Sequence, residues 1–399
     1  MRGRRRYTFD KVAKFQNSLK WHVNNSELPM TLGDMDFEVA PEIITELHKR
    51  IENKNFGYEY IPYEYYVSVA KWYKEMHNCT LDISWMSFSQ GVVATLSAII
   101  TNLMNEDSVI TVLTPGFDKF KKVGEGKQKV LVSELIYDKE KRNYGINWLD
   151  LEDKLKKTNL FVLCNPHSPV GKIWSQKDLE KILKLSLKYD FKIFSDEIHG
   201  EITFDKKYTP LFSLDEKLLK NTIIAVSPSK AFNIAGIQTA TIITPNKELK
   251  EQVDNAIKSF HLNEANSLAV PATIAAYTEG KDWLEELKDY LRENRNFIER
   301  FLEHNVPDVK PSLNEASYFL WLDISSLNVD AQELTEFIRK KTGLILTAGD
   351  KFDGNGKQFL RMNIATSTDL IEDALRRLQR AIVLFKRKDD DLMNLILNK

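Results

Sequence analysis

The chain has 399 residues, 43% of them apolar and 11% aromatic, which is enough to bury a sizeable core in two or three domain-sized units. Its 56 basic and 57 acidic side chains nearly cancel, and this excludes a global field that would hold the protein on nucleic acid or an anionic membrane. Cys79 and Cys164 are too few for a disulfide framework, no apolar signal segment opens the chain, and GVVATLSAIITNLM, its most apolar stretch, is too short to span a bilayer, so a cytoplasmic protein is expected.

The RGRRR run at residues 2–6 reads as a solvated tail. The first informative stretch is SFSQGVVATLSAIITNL, a turn with Ser89 and Gly91 leading into a helix whose apolar stripe is Val92, Leu96, Ile99 and Leu103. The free amides at its start, at Gly91, Val92 and Val93, suit a phosphate, although a glycine before a helix is also an ordinary turn. SVITVL (108–113) is a strand, and the TPGFDKF after it puts Phe117 in a loop, as packing or as a surface on which a flat ring stacks.

LFVLC (160–164) is a continuously apolar strand, followed by the proline-stiffened loop CNPHSPVGK with Asn165 and Ser168. SQKDLEKILKLSLKYD then reads as a helix, capped by Ser175 with Asp178 three residues on, and with Leu179, Ile182 and Leu183 on its apolar stripe. FKIFSD (191–196) ends on Asp196, a carboxylate in an apolar run that calls for a cation or several donors. Asp196, Glu197, His199 and Glu201 are closely spaced acids and a histidine, but alternation along an extended chain turns Asp196 and Glu197 apart, which argues against a metal site. TIIAVS (222–227) brings Ser227, Ser229 and Lys230 to the same kind of strand end, and TATIIT (239–244) is a further strand.

This alternation predicts an α/β fold, with a mostly parallel sheet sandwiched by helices over residues 42–280. Residues 281–399, joined by 1–41, read as a smaller α+β domain that contains the long helix DWLEELKDYLRENRNFIERFLEH and the strand-like SYFLWLDI. Ligands of such sheets bind beyond the carboxyl ends of the strands. A phosphate cradle, a ring-stacking aromatic, a carboxylate in want of a cation and a lysine among hydroxyls all fall there. One ligand answers them together: pyridoxal 5'-phosphate, with its phosphate at residues 91–93, Ser227 and Ser229, its ring on Phe117, its pyridine nitrogen at Asp196 and its aldehyde at Lys230.

The segments GDMDFEVAPEI, FGYEYIPYEYY, TPGFDKF, SDEIHGE, SPSKAFNIAGIQTA, YFLWLDI and FLRMNIA run through nearly the whole chain. With them the sequence resembles fold-type I pyridoxal-phosphate enzymes of the class I/II aminotransferase group, and within that group the MalY/PatB branch of carbon–sulfur β-lyases. The resemblance implies a covalent link between Lys230 and the cofactor, Asp196 at the pyridine nitrogen, Phe117 in place of the stacking tyrosine, and further cofactor contacts from Ser168 and His199. It also implies Arg361 as the grip on the substrate carboxylate with Gly33 beside it, and a homodimer in which Tyr58 crosses to the neighbour's phosphate.

The reaction implied is cleavage of cystathionine or a related cysteine thioether to thiol, pyruvate and ammonia. Transamination of an amino acid, and a protein that keeps the cofactor but acts through a regulatory partner, are the alternatives. Gln238 and His199, where most aminotransferases have arginine and tyrosine, mark the lyase branch. Departures from the branch fall on the substrate side: Ser168 for an asparagine, Val170 for a threonine, Thr31 and Leu32 for tryptophan and valine, and Phe117 without a phenolic hydroxyl.

Overall fold

A computed structural model describes residues 6–126 and 128–397, so most of the RGRRR run lies outside the described residues. Seven strands form the main sheet in the order Met86–Ser89, Ala240–Ile243, Thr222–Val226, Lys192–Asp196, Leu160–Cys164, Val109–Thr114, Lys129–Glu134. Only Ala240–Ile243 runs against its neighbours; the other pairings are parallel. Every residue of Leu160–Cys164 and of Thr222–Val226 is buried, as expected of parallel strands covered on both faces. The predicted α/β sandwich is therefore the observed architecture, with each of the five predicted strands within one residue of its place.

The helices that cover the sheet follow from local chemistry. Gln176–Tyr189 begins with a capping box in which the Ser175 hydroxyl accepts from the Asp178 amide and the Asp178 carboxylate accepts from the Ser175 amide. Leu179, Ile182 and Leu183 on its inner stripe are fully buried. On the opposite face of the sheet, Val92, Leu96 and Ile99 of helix Val92–Leu103 pack with Val253 and Ile257 of helix Lys247–Ser259.

A second, antiparallel sheet has the order Lys310–Pro311, Phe319–Asp323, Phe359–Asn363, Thr347–Ala348. Helices Lys281–Asn305 and Ala331–Thr342 contact it, Thr368–Leu397 packs on those two helices, and the N-terminal Leu28–Pro29 pairs in parallel with Leu344–Ile345. The edge strands Met86–Ser89 and Lys129–Glu134 went unread in the sequence, being short or half exposed. Among the described residues no helix is long and apolar enough to cross a membrane.

Candidate active site

The register of the main sheet sets the floor of the site. Cys164 is level with Asp196, and Asp196 with Ala225, so the loops after these strands leave the sheet side by side. Asp196 is buried, and desolvation raises its carboxyl from 3.8 to about 7, against the opposing pull of the Ile198 amide and Lys230. Its Oδ1 accepts from the Ile198 amide at 3.1 Å, which leaves Oδ2 for another donor. The alternation argument holds for its neighbour: Glu197 turns away into a separate buried cluster with Tyr208, Ser195 and the Leu211 amide.

Lys230 lies within electrostatic reach of Asp196. Desolvation lowers its amine from the ordinary lysine value, with Arg361 and Lys119 acting the same way and Asp34 and Asp196 opposing. A lysine held in this way gives up its proton more readily than one in water. Nζ is 3.3 Å from the carbonyl oxygen of Gly33.

The start of helix Val92–Leu103, expected to cradle a phosphate, is capped by a glycine at positive φ. Gly91 sits at φ +137° as the cap of helix Val92–Leu103, and a Cβ there would meet nothing within 4 Å. The Thr95 amide makes the first intrahelical bond, to the Gly91 carbonyl, so the Val92 and Val93 amides face outward. Ser227 contributes less directly than its position suggested: its hydroxyl donates to the Thr239 carbonyl at 2.6 Å and accepts from the Ser229 amide at 3.1 Å. It shapes the turn that presents Ser229 and Lys230. Ser168 is buried at the end of the neighbouring loop, and Phe117 is half-buried, edge-on to Phe120 at 5.2 Å.

Arg361 and His199 lie together beside Phe319. The Arg361 guanidinium lies over the rings of Phe319 (4.2 Å) and Phe352 (4.8 Å), its Nε is buried with no hydrogen-bond partner, and desolvation lowers its value from 12.5 to about 10. His199 is buried beside Tyr318 and Phe319, with Nδ1 unpartnered and its value lowered to about 3 by desolvation and by Lys230 and Arg361, so it is neutral. The Gly33 carbonyl accepts from the Tyr318 hydroxyl at 2.7 Å. Tyr58 is the exception: it is fully exposed, and among the described residues no hydrogen bond or ring contact ties it to these groups.

The sequence reading missed the polar clamp that holds the Gly33 loop. The Asn363 amide donates to the carbonyls of Leu32 (3.1 Å) and Asp34 (2.8 Å), and Asn233 bonds Met35 and Phe37. Lys20 pairs with Asp36 at 2.9 Å, both buried, and Trp21 donates to the same carboxylate at 2.8 Å. Asn233 and Asn363 stand inside SPSKAFNIAG and FLRMNIA, but nothing local to a motif asparagine says which distant carbonyl it will reach.

These residues fit pyridoxal phosphate. The outward amides at the helix start suit the phosphate, the free oxygen of Asp196 suits a protonated ring nitrogen, and the Lys230 amine suits the aldehyde. His199 Nδ1 and Arg361 Nε have no hydrogen-bond partner among the described residues, which is compatible with a ligand contact at each. Among the described residues no group of three or more histidine, cysteine or acidic side chains is arranged to hold a metal ion.

Residues 26–378 match the family aminotransferase class I and II. The chain is similar to cystathionine beta-lyase PatB of Bacillus subtilis, at 35% identity with 89% of this chain and 92% of that protein covered. It is also similar to protein MalY of Escherichia coli, at 28% identity over 89% of this chain and 91% of MalY. In three dimensions it resembles cystalysin of Treponema denticola, a structure that contains pyridoxal 5'-phosphate, with a TM-score of 0.90 at 29% identity, covering 94% of this chain and 98% of that one.

Proposed function

The chain belongs to the class I and II aminotransferase family, in the branch of PatB and MalY, and is a pyridoxal-phosphate-dependent carbon–sulfur β-lyase; we propose that its substrates are cystathionine and related cysteine thioethers. The observation that supports this reading is that buried Asp196 and the Arg361 guanidinium both lie within electrostatic reach of Lys230, with Asp196 bonded through Oδ1 alone and Arg361 Nε without a hydrogen-bond partner.

When bound, the cofactor supplies an aldehyde for the substrate amine and a ring that accepts the electron pair left at Cα. Asp196 holds the ring nitrogen protonated: a cation beside it draws its raised carboxyl back toward the ionised form, and a charge-assisted bond of this kind is worth about 1.5 to 3 kcal/mol. Arg361 takes the substrate α-carboxylate through its fork of donors. Lys230, its amine already depressed, removes the Cα proton at Nζ. The Cβ–S bond then breaks, the sulfur leaves with the electron pair as thiolate, and the three-carbon remainder takes up water to give pyruvate and ammonia. His199, buried and unpartnered at Nδ1, and Ser168 would supply further contacts to the cofactor.

The active unit is proposed to be a homodimer in which Tyr58 of each chain reaches the other's phosphate. Support comes from its full exposure together with that of Phe56, Tyr60 and Tyr63 on one aromatic stretch. We also divide the chain into a large cofactor domain, 42–280, and a smaller domain of 1–41 and 281–399, a division supported by the pairing of Leu28–Pro29 with Leu344–Ile345. A cytoplasmic setting agrees with two buried, unbridged cysteines. The test is a product assay: pyruvate and thiol released from cystathionine with no keto acid added support lysis, and turnover only with a keto acid acceptor overturns it.

A further inference from the structure

Arg361 sits on strand Phe359–Asn363, paired with Trp321 on one side and Thr347 on the other, yet its buried Nε has no hydrogen-bond partner. Its guanidinium is instead met by two aromatic faces, Phe319 and Phe352. An aromatic face attracts a cation through its quadrupole but accepts no in-plane N–H, so it can fix the plane of a guanidinium and leave the donor fork free.

Phe352 differs from Phe319 in what it is tied to. It ends the short segment Gly349–Phe352, and its ring is wedged edge-on against Trp321 at 5.5 Å. Trp321 is itself stacked on Phe359 and donates to Tyr144 at 3.0 Å. The carbonyl of Phe352 accepts from the Gly116 amide at 2.9 Å, one residue before Phe117, and the adjacent Asp353 pairs with Lys121 at 2.9 Å. One residue thus touches the guanidinium with its ring and the cofactor loop with its backbone.

We infer that Phe352 is a positioning residue for carboxylate recognition: its ring fixes the plane of the Arg361 fork, and its backbone keeps that fork in register with the loop that carries Phe117. The inference rests on the assignment of Arg361 to the substrate carboxylate. A flat face that orients the fork matters only to ligands with a carboxylate, and this separates positioning from a general packing role.

The test titrates the holoenzyme with glycine and with glycinamide, two amines that differ only in the carboxylate, and follows the shift in the cofactor's absorption. The ratio of their dissociation constants reports the preference for the carboxylate. Phe352→Leu and Phe352→Met, two apolar replacements of different shape, should each reduce this preference by about tenfold. Phe352→Tyr, which keeps the π face, should retain it within about twofold. A preference unchanged in either folded apolar variant, or equal losses for both ligands, overturns the inference. Arg361→Ala is the control: if it loses the preference while the Phe352 variants keep it, only the inference on Phe352 fails, and if it keeps the preference, the assignment of Arg361 fails as well.

Discussion

The carbonyl oxygen of Gly33 lies 3.3 Å from the Lys230 amine, and a Cβ at residue 33 would stand 2.5 Å from that nitrogen. The atom that a side chain at residue 33 would meet is the end of the Lys230 chain, which can move aside only by leaving the position it holds here. Gly33→Ala must push the amine aside. Since a displacement of about 1 Å at a reacting centre costs about a hundredfold in rate, kcat for thioether cleavage should fall by about that factor with the thermal midpoint unchanged. A variant with native kcat would show that the contact is incidental.

Lys230 is assigned as the residue that holds the cofactor covalently. Borohydride reduction followed by mass spectrometry should find the cofactor's mass on the peptide containing Lys230, and Lys230→Ala should carry none after the same treatment. An adduct on another lysine in the native protein would move the assignment.

How much of this was legible beforehand depended on whether a signal was local. The strands Leu160–Cys164 and Thr222–Val226 could be read because continuous apolar runs are a property of the segment itself, and the Ser175–Asp178 capping box because it spans four residues. Asp196 and Lys230 stood out as charges at the ends of such runs. The Asn363 and Asn233 clamps on the Gly33 loop join residues far apart in the chain, and the aromatic faces on Arg361 come from a neighbouring strand and a short helical turn. Neither leaves a trace in spacing or composition, and Arg361 itself was assigned only through resemblance. Ser227 was legible as a strand-end hydroxyl, but its bonds to Thr239 and Ser229 depend on the turn that folds over it.

Asp196 makes the stability of the cofactor-free protein depend on pH. Its carboxyl binds a proton more tightly folded than unfolded, so its contribution is full below about pH 4 and is lost as pH rises through about 7. A rise from 3.8 to about 7 corresponds to on the order of 4 kcal/mol. His199 and His167 titrate in the opposite sense, so the useful quantity is the difference between wild type and Asp196→Asn. In urea unfolding of the apoproteins, Asp196→Asn should gain on the wild type by several kcal/mol between pH 4 and pH 8. A constant difference over that range would rule out a buried, raised carboxyl.

The Lys20–Asp36 pair anchors the far end of the Gly33 loop inside the protein. Removing one partner of a buried pair strands the other charge, at a cost of about 3 to 5 kcal/mol, whereas replacing both with apolar groups of similar size is often close to neutral. Lys20→Met should therefore destabilise by that amount in urea unfolding, and the double variant Lys20→Met with Asp36→Leu should recover more than half of it. The Trp21 bond to Asp36 keeps the recovery incomplete. Additive losses in the two single variants would mean that the ions do not act as a pair.

Shared sites make a demand that packing alone does not. If Tyr58 serves the phosphate of the opposite chain, a chain lacking Lys230 and a chain lacking Tyr58 are defective in different halves of the same site. In a heterodimer of the two, one site combines both defects and the other has neither. Random assembly of equal amounts makes half of the dimers mixed, so a co-expressed pair of Lys230→Ala and Tyr58→Ala should regain about a quarter of wild-type activity, while each variant alone stays near background. Activity that does not rise above the sum of the separate variants would place Tyr58 outside the active site, and its exposure in the single chain would then need another explanation.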